Sequence, residues 1–360
     1  MNLVLRFSAL GDVVLCSAFT QALEGETLFV TSPSLKPFIE ENFPGRMKVY
    51  GIERPKGGPI GWFFAGLRFS EFFRLYAAPR IDVLKIWDLH NVSKSLFFSW
   101  GLIMGLESTR IVARIQVRRT PKERLRRWSL LIFKKDILGH RSKSELRIFE
   151  RHLELLETAS QAREPRLVSP HRREEFRPGS RTLRLLVAPD AQHWKKIWPV
   201  DYWKSLLVAL AKLETLHIHV TLVGNRSWID DAWIRDTLLR EHPQFSIENL
   251  QTRTSLLELA SIASDHHLAL TSNSAWQHIS EAVGTPTLSL SGPIVSEFGF
   301  SPWLSQSREL CVDLGCRPCT LHGDGICYRL SEHHACMKRL TPRRVLQEMW
   351  QMLGYGSAPG

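Results

Sequence analysis

The sequence predicts an α/β protein built from two doubly wound halves, each a parallel sheet with helices on both faces. Three observations carry this. Short apolar runs alternate with longer stretches of helical spacing along most of the chain. The alternation breaks once, at a polar segment with three prolines, and then resumes. The length of 360 residues is long for one core and suits two domains.

In the first half, NLVLRF reads as a strand and VVLCSAFTQALEG as a helix starting near Val13. TLFVTS and KVYGI are further strands. IDVLKIWDLH is an apolar run with a polar end, VSKSLFFSWGLIMGL has helical spacing, and RIVARI is strand-like. SELRIFERHLELLETAS places Leu146, Phe149, Leu153 and Leu156 on one stripe of a helix. Gln161–Thr182 is rich in charge and poor in apolar residues, with the linker proper at 166–182. LRLLVAP, HIHVTLVG, HLALTS and PTLSLSG then read as strands. YWKSLLVALAKLE, IDDAWIRDTLLREH, SLLELASIAS and AWQHISEAVG read as helices. TPRRVLQEMWQMLG closes the chain as a helix behind a Thr-Pro cap. The expected domains are 1–165, 183–340 and a closing helix within 341–360, whose return onto the first domain is left open. Two such halves put a central cleft between them, lined by loops at the carboxyl ends of the strands.

The formal net charge is +11, and it is concentrated. Arg110–Lys143 holds twelve Lys or Arg against two acids. That block fits an acidic partner (nucleic acid, anionic lipid or a phosphorylated substrate) or a solvated helix face. No stretch reaches the ~18 apolar residues of a membrane span. The N-terminus lacks the basic region and cleavage site of a signal peptide, so the expected location is the cytoplasm. Cys316, Cys319, Cys327 and Cys336 follow a C-x2-C-x7-C-x8-C spacing. Four thiolates can complete a tetrahedral metal site. The second C-x2-C pair of a zinc ribbon is missing, and reduced structural thiols are the preferred reading.

Three loop stretches can carry chemistry. In RFSALGDVVL, Asp12 at the helix start is either a cap or a base that takes a proton from a substrate hydroxyl. Gly11 beside it permits a close approach that a side chain would block. In APDAQHWKKIWP, Lys195 and Lys196 are exposed loop lysines or cations for a phosphate. In LTSNSAWQHISEAVGTP, a strand ends at Ser272 and a helix starts near Ser274. Free amides at such a helix start bind phosphate, Asn273 adds a polar partner, and His278 lies one turn on from Ser274. Neither a Walker A motif nor G-x-G-x-x-G occurs, so neither an ATPase nor a dinucleotide fingerprint is supported.

These stretches, in this order, resemble the ADP-heptose:lipopolysaccharide heptosyltransferases, inverting enzymes of the GT-B fold. The similar segments are RFSALGDVVL, WDLHNVSKS, KKIWP, TRTSLLELASI, TSNSAWQHISEAVGTPTLSLSGP and the cysteine-bearing tail CRPC…CM…LTPRRVL. The resemblance implies Asp12 as general base. It implies Lys196, Ser272, Asn273, Ser274 and His278 at the donor diphosphate, and Ser8, Gly11, His90 and Lys94 on the acceptor side. It implies an ADP-sugar donor, no required cofactor or metal, and an acidic lipopolysaccharide-core acceptor. That acceptor suits peripheral contact with the cytoplasmic face of the inner membrane, through the basic block and the aromatic stretch GWFFAGLRFSEFFRLY. That stretch reads equally as a buried helix. The chain departs from the family pattern at Asn273 (usually Asp), Ala275 (usually Gly), Trp276 and Ser291. Asn273 and Ala275 motivate one alternative, a GT-B protein that binds glycan without transferring it. The basic block motivates another, a nucleic-acid-binding protein, although no RRM-type signature or zinc-finger spacing is present.

Overall fold

The described residues of the computed structural model are 1–45, 47–77, 83–106, 111–116, 125, 128–132, 147–156, 164–169, 175–213 and 216–356. Most of the basic block, along with part of the linker, falls outside them. The chain divides into two units, Met1–Arg119 with Ile148–Val168 and Thr120–Arg147 with Ser169–Gly360.

The first unit carries strands β1 (Asn2–Leu5), β2 (Thr27–Thr31), β3 (Lys48–Gly51), β4 (Val83–Asp88) and β5 (Ile111–Gln116). They form a parallel sheet in the order β3-β2-β1-β4-β5. Both β1 and β2 are buried along their whole length, as strands covered on both faces must be. Helix α1 (Leu10–Ala22) packs with the helix Ile148–Leu153. Helices α3 (Gly58–Ala77) and α4 (Ser93–Gly105) lie against each other, α2 (Lys36–Asn42) preceding them. Phe69 and Phe73 of α3 and Phe98 and Leu102 of α4 enter one core with Leu3, Leu5, Val30, Leu84 and Ile86. The two helices meet backbone to backbone. A Cβ at Gly66 would overlap the Phe98 carbonyl oxygen, and one at Gly101 that of Phe63.

The second unit carries β6 (Thr182–Ala188), β7 (His217–Leu222), β8 (Ser246–Asn249), β9 (Leu268–Ser272), β10 (Thr287–Ser291) and β11 (Arg308–Cys311). The order is β11-β10-β9-β6-β7-β8, again all parallel. Trp198, Trp203, Leu206 and Leu210 cover one face, joined by Val345, Met349 and Trp350 of the closing helix Pro342–Met352. Thr341 caps that helix by accepting the Arg344 amide at 3.3 Å. Leu130, in a stretch the sequence assigned to the N-terminal domain, packs with Ile294 and Phe298 of this unit.

Local differences from the sequence reading have physical reasons. Helix α1 starts at Leu10, three residues before Val13. The edge strands β8 and β11 were not expected, because SIEN and RELC lack the buried apolar run of a central strand. The helix over 231–241 has a π-wound centre at Ile234–Leu238. SLLELASIAS opens as a 3-10 turn, with Ser255 donating its amide to Glu258 at 2.8 Å. No described helix is long and apolar enough to cross a membrane.

Buried histidines make the fold acid-sensitive, and His152 and His266 are two of them. His152 is 2% exposed, and burial first, then Arg6 and Arg151, lowers it to about 3. His266 hydrogen-bonds Ile262 O at 2.7 Å and Thr221 Oγ1 at 2.9 Å, and burial lowers it to about 4. The unfolded chain takes up both protons near pH 6.5, whereas the folded chain does not. Each histidine still neutral therefore removes about 1.4 kcal/mol per pH unit below 6.5, and buried Glu281, raised to about 7 by burial, offsets one such contribution down to about pH 4.5. Urea midpoints at pH 7.5 and 5.0 measure this; equal midpoints would contradict it.

Candidate functional site

In each sheet the strand order reverses at one point, where the loops of adjacent strands part and leave a crevice at the carboxyl ends. In the first sheet this point lies between β1 and β4, and in the second between β9 and β6. The motif loops of the sequence fall at these two points.

In the first unit the register pairs Leu5 with Asp88, so the loops after β1 and β4 start side by side. The Asp88 carboxylate, fully buried, organises the second loop. It accepts the amides of His90 (3.2 Å) and Asn91 (2.8 Å) and the Ser95 hydroxyl (3.0 Å), and pairs with Arg114. His90 Nδ1 accepts the Phe7 amide at 3.3 Å, which leaves its proton on Nε2, 3.4 Å from Ser8 Oγ. Burial, then Arg6 and Lys94, lowers His90 to about 2, so the ring is neutral at physiological pH. Lys94 donates to the same Ser8 oxygen at 2.9 Å. Its own pKa is lowered, first by burial and then by Arg6 and Arg54. With both lone pairs of Ser8 engaged, its hydroxyl proton is left to donate outward.

Asp12 sits in the first turn of α1 and is not the cap. The cap position is Ala9, whose φ of 68° is left-handed and whose side chain caps nothing. The strained residue is thus Ala9, with Gly11 inside the helical turn. Such a conformation costs an L-residue about 1–2 kcal/mol and persists only where surroundings impose it. Arg6 braces the chain on both sides of it. Its guanidinium pairs with Asp12 Oδ2 and donates to Leu89 O at 2.8 Å and Ser8 O at 3.3 Å. Asp12 Oδ1 accepts no hydrogen bond among the described residues.

In the second unit Ser272 Oγ donates to Pro189 O at 3.4 Å, tying the end of β9 to the loop after β6. That loop winds into a 3-10 turn, Trp194–Lys196. Lys196 Nζ donates to Asn273 Oδ1 at 3.2 Å. Asn273 in turn donates to Gln277 Oε1 at 3.4 Å. Gln277 is fixed by Phe300 O (2.7 Å) and the Ser289 hydroxyl (2.6 Å). Ser274 is the N-cap of the helix Ala275–Ala282 but makes no capping bond, and its buried hydroxyl has no partner among the described residues. An uncapped helix start beside an orphaned hydroxyl and an ammonium is chemically an anion site. His278 is buried against Trp303, the rings parallel within 8° and 5.9 Å apart.

Lys195 differs from its neighbour and from the exposed loop lysine considered in the sequence. It is 2% exposed and donates to Ile326 O at 3.2 Å, with Cys319 Sγ at 3.9 Å. Cys316, Cys319, Cys327 and Cys336 line one cavity of about 20 Å³ with Lys195 and His334. None of the four is in a disulfide among the described residues, and burial, with the neighbouring thiols adding, pushes Cys336 up to about 12. Among the described residues no cluster of His, Cys, Asp or Glu is drawn together as a metal site. Sequence reasoning gave no role to Arg6, Asp88 or Gln277. Only the i, i+4 spacing of Asn273 and Gln277 offered a signal.

The two parallel-sheet units have the architecture of GT-B glycosyltransferases. Escherichia coli ADP-heptose lps heptosyltransferase II has the same fold, with a TM-score of 0.63, 18% identity and 98% of both chains covered. Escherichia coli heptosyltransferase WaaC with ADP-2-deoxy-2-fluoro heptose gives a TM-score of 0.57 at 13% identity, covering 97% of this chain and 99% of that one. Lipooligosaccharide heptosyltransferase 2 of Campylobacter jejuni is 31% identical over 156 residues, 43% of this chain. The match spans about half of that relative, 46% of its length. The family model of glycosyltransferase family 9 (heptosyltransferase) matches residues 115–325, more than half of this chain. The chain belongs to glycosyltransferase family 9.

Removing the Asp88 carboxylate strips three donors of their acceptor and leaves Arg114 without its countercharge. Asp88→Ala is expected to lower stability by about 3 kcal/mol in urea unfolding, and a loss below about 1 kcal/mol would show that the hub is dispensable.

Proposed function

We propose that the protein is an inverting glycosyltransferase that moves a heptose, or a related sugar, from an ADP-activated donor to the lipopolysaccharide inner core. The observation that carries this reading is the Lys196–Asn273 pair beside the uncapped helix start at Ser274. Those groups supply what a diphosphate leaving group needs. The comparisons support the donor, because solved proteins of the same fold include one with an ADP-heptose analogue.

In the reaction an acceptor hydroxyl attacks the anomeric carbon of the donor sugar from the face opposite the diphosphate. The new C–O bond forms as the bond to the phosphate oxygen breaks, and ADP leaves with that electron pair. Asp12 takes the hydroxyl proton, oriented by Arg6 through its other oxygen. Charge growing on the leaving phosphate is met by the Lys196 ammonium, the first-turn amides and the Ser274 hydroxyl. Asn273 holds the lysine through a neutral amide oxygen, where the family's usual Asp would bring a negative charge. Ser8 and Lys94 are assigned to the carboxylates or phosphates of the acceptor, and neutral His90 orients Ser8. Because the acceptor is lipid-anchored, the enzyme is placed at the cytoplasmic face of the inner membrane.

Ala275, where the family carries Gly, favours one second reading: a protein that binds the glycan and transfers nothing. Thermal unfolding with ADP-, UDP- and GDP-sugars, followed by transfer assays on a heptose-deficient core acceptor, separates the two. A midpoint shift with ADP-heptose and a glycosylated product are expected; glycan binding with neither would favour the second reading. Asp12→Asn is expected to keep donor binding and to slow turnover by ~100-fold or more. Near-normal turnover of the folded variant would remove Asp12 from the base role. Lys196→Ala is expected to weaken donor binding at least ~10-fold, read by titrating the same thermal shift.

A further inference from the structure

Helices α3 and α4 are rich in apolar side chains, yet only part of them is buried in the core. On α4, Leu96, Trp100 and Met104 recur every four residues and stand 45%, 55% and 63% exposed. On α3, Ile60 and Phe64 are 65% and 54% exposed, also four residues apart. The two rows are continuous. Trp100 contacts Phe63 edge-on at 6.0 Å, and Phe63 contacts Phe64 at 5.6 Å. Apolar area this contiguous on an otherwise ordinary surface marks an interaction site.

Charge at its rim selects the occupant. Lys56 and Arg68 are exposed and line one shallow groove with Phe64 and Leu67, together with the single acid Glu71. Neither cation has a hydrogen-bond or ion-pair partner among the described residues. A protein partner with an apolar face would leave them uncompensated, whereas anionic lipid headgroups supply phosphates at the depth where a Trp prefers to lie. Neither helix can cross a membrane, so the geometry is that of a face lying in the lipid interface.

We propose that the Ile60–Phe64 and Leu96–Trp100–Met104 face of the α3–α4 pair docks onto an anionic phospholipid surface, with Lys56 and Arg68 on the headgroups. The inference rests on the reading above for why the protein would approach a membrane, and on the exposed side chains for where.

The test is flotation of the full chain with vesicles of phosphatidylethanolamine and about 30 mol% phosphatidylglycerol, against phosphatidylcholine alone. The wild type is expected to float with the anionic vesicles only. The triple variant Phe64→Ser, Trp100→Ser, Met104→Ser is expected to bind about tenfold less or weaker still, with its thermal midpoint unchanged. Lys56→Glu with Arg68→Glu, on exposed side chains, is a second variant, and each charge is expected to account for about fivefold. Transfer to a delipidated, water-soluble core oligosaccharide is expected to be the same in wild type and triple variant. A failure of the transferase reading shows in that assay alone. The docking proposal is overturned if the wild type stays with the lipid-free fraction, or if both variants float as it does. It is equally overturned if the wild type is a dimer that the triple variant dissolves, since the face would then cover a second copy.

Discussion

A parallel sheet buried on both faces leaves little room for polar side chains except where neighbouring loops separate. In both sheets of this chain that separation occurs once, between β1 and β4 and between β9 and β6. Nearly every polar group assigned a role sits at one of these two points. The consequence is local concentration of charge in low-dielectric surroundings. Arg6, Asp12, Lys94 and the neutral His90 crowd one point, and Lys196, Asn273 and Ser274 the other. Each charge there needs a partner, and the partners are what fix the geometry.

That dependence explains which parts of the site were legible beforehand. Asp12 and Asn273, at the starts of helices that follow strands, were named from the chain alone, and Ser8 and Lys94 through the family resemblance. Arg6 and Asp88 were not, because each joins local partners to one residue far away in sequence, and that distant partner cannot be read from the chain. Arg6 reaches Leu89, and Asp88 reaches Arg114. Lys195 and Lys196 are neighbours of identical chemistry; the family resemblance favoured Lys196, and the fold shows why, burying Lys195 and bringing Lys196 to Asn273. The fold shows the same division. Central strands read clearly, since burial on both faces demands an unbroken apolar run. The edge strands β8 and β11, half-exposed and charged, carry no such signal. The start of α1 was misplaced by three residues because Ala9, not a Ser, Thr, Asn or Asp, precedes it.

The departures from the family pattern also take on physical meaning. Trp276 is buried, so its bulk is absorbed by packing. Asn273 keeps the acceptor oxygen that Lys196 needs and gives up only a negative charge. At the diphosphate site proposed above, losing a negative charge beside the cation would strengthen attraction for the ligand.

The close contact of α3 with α4 has a mechanical consequence. With Gly66 and Gly101 leaving no gap between the backbones, neither helix can slide along the other, and the pair behaves as one slab. α4 begins at Ser93, directly after the loop that carries His90, and Lys94 lies in its first turn. At 1.5 Å per residue, Trp100 is about 9 Å along the axis from Lys94. On the proposed docking, a slab held by Trp100 would act as a ruler, fixing how far above its support the Ser8–His90–Lys94 group stands.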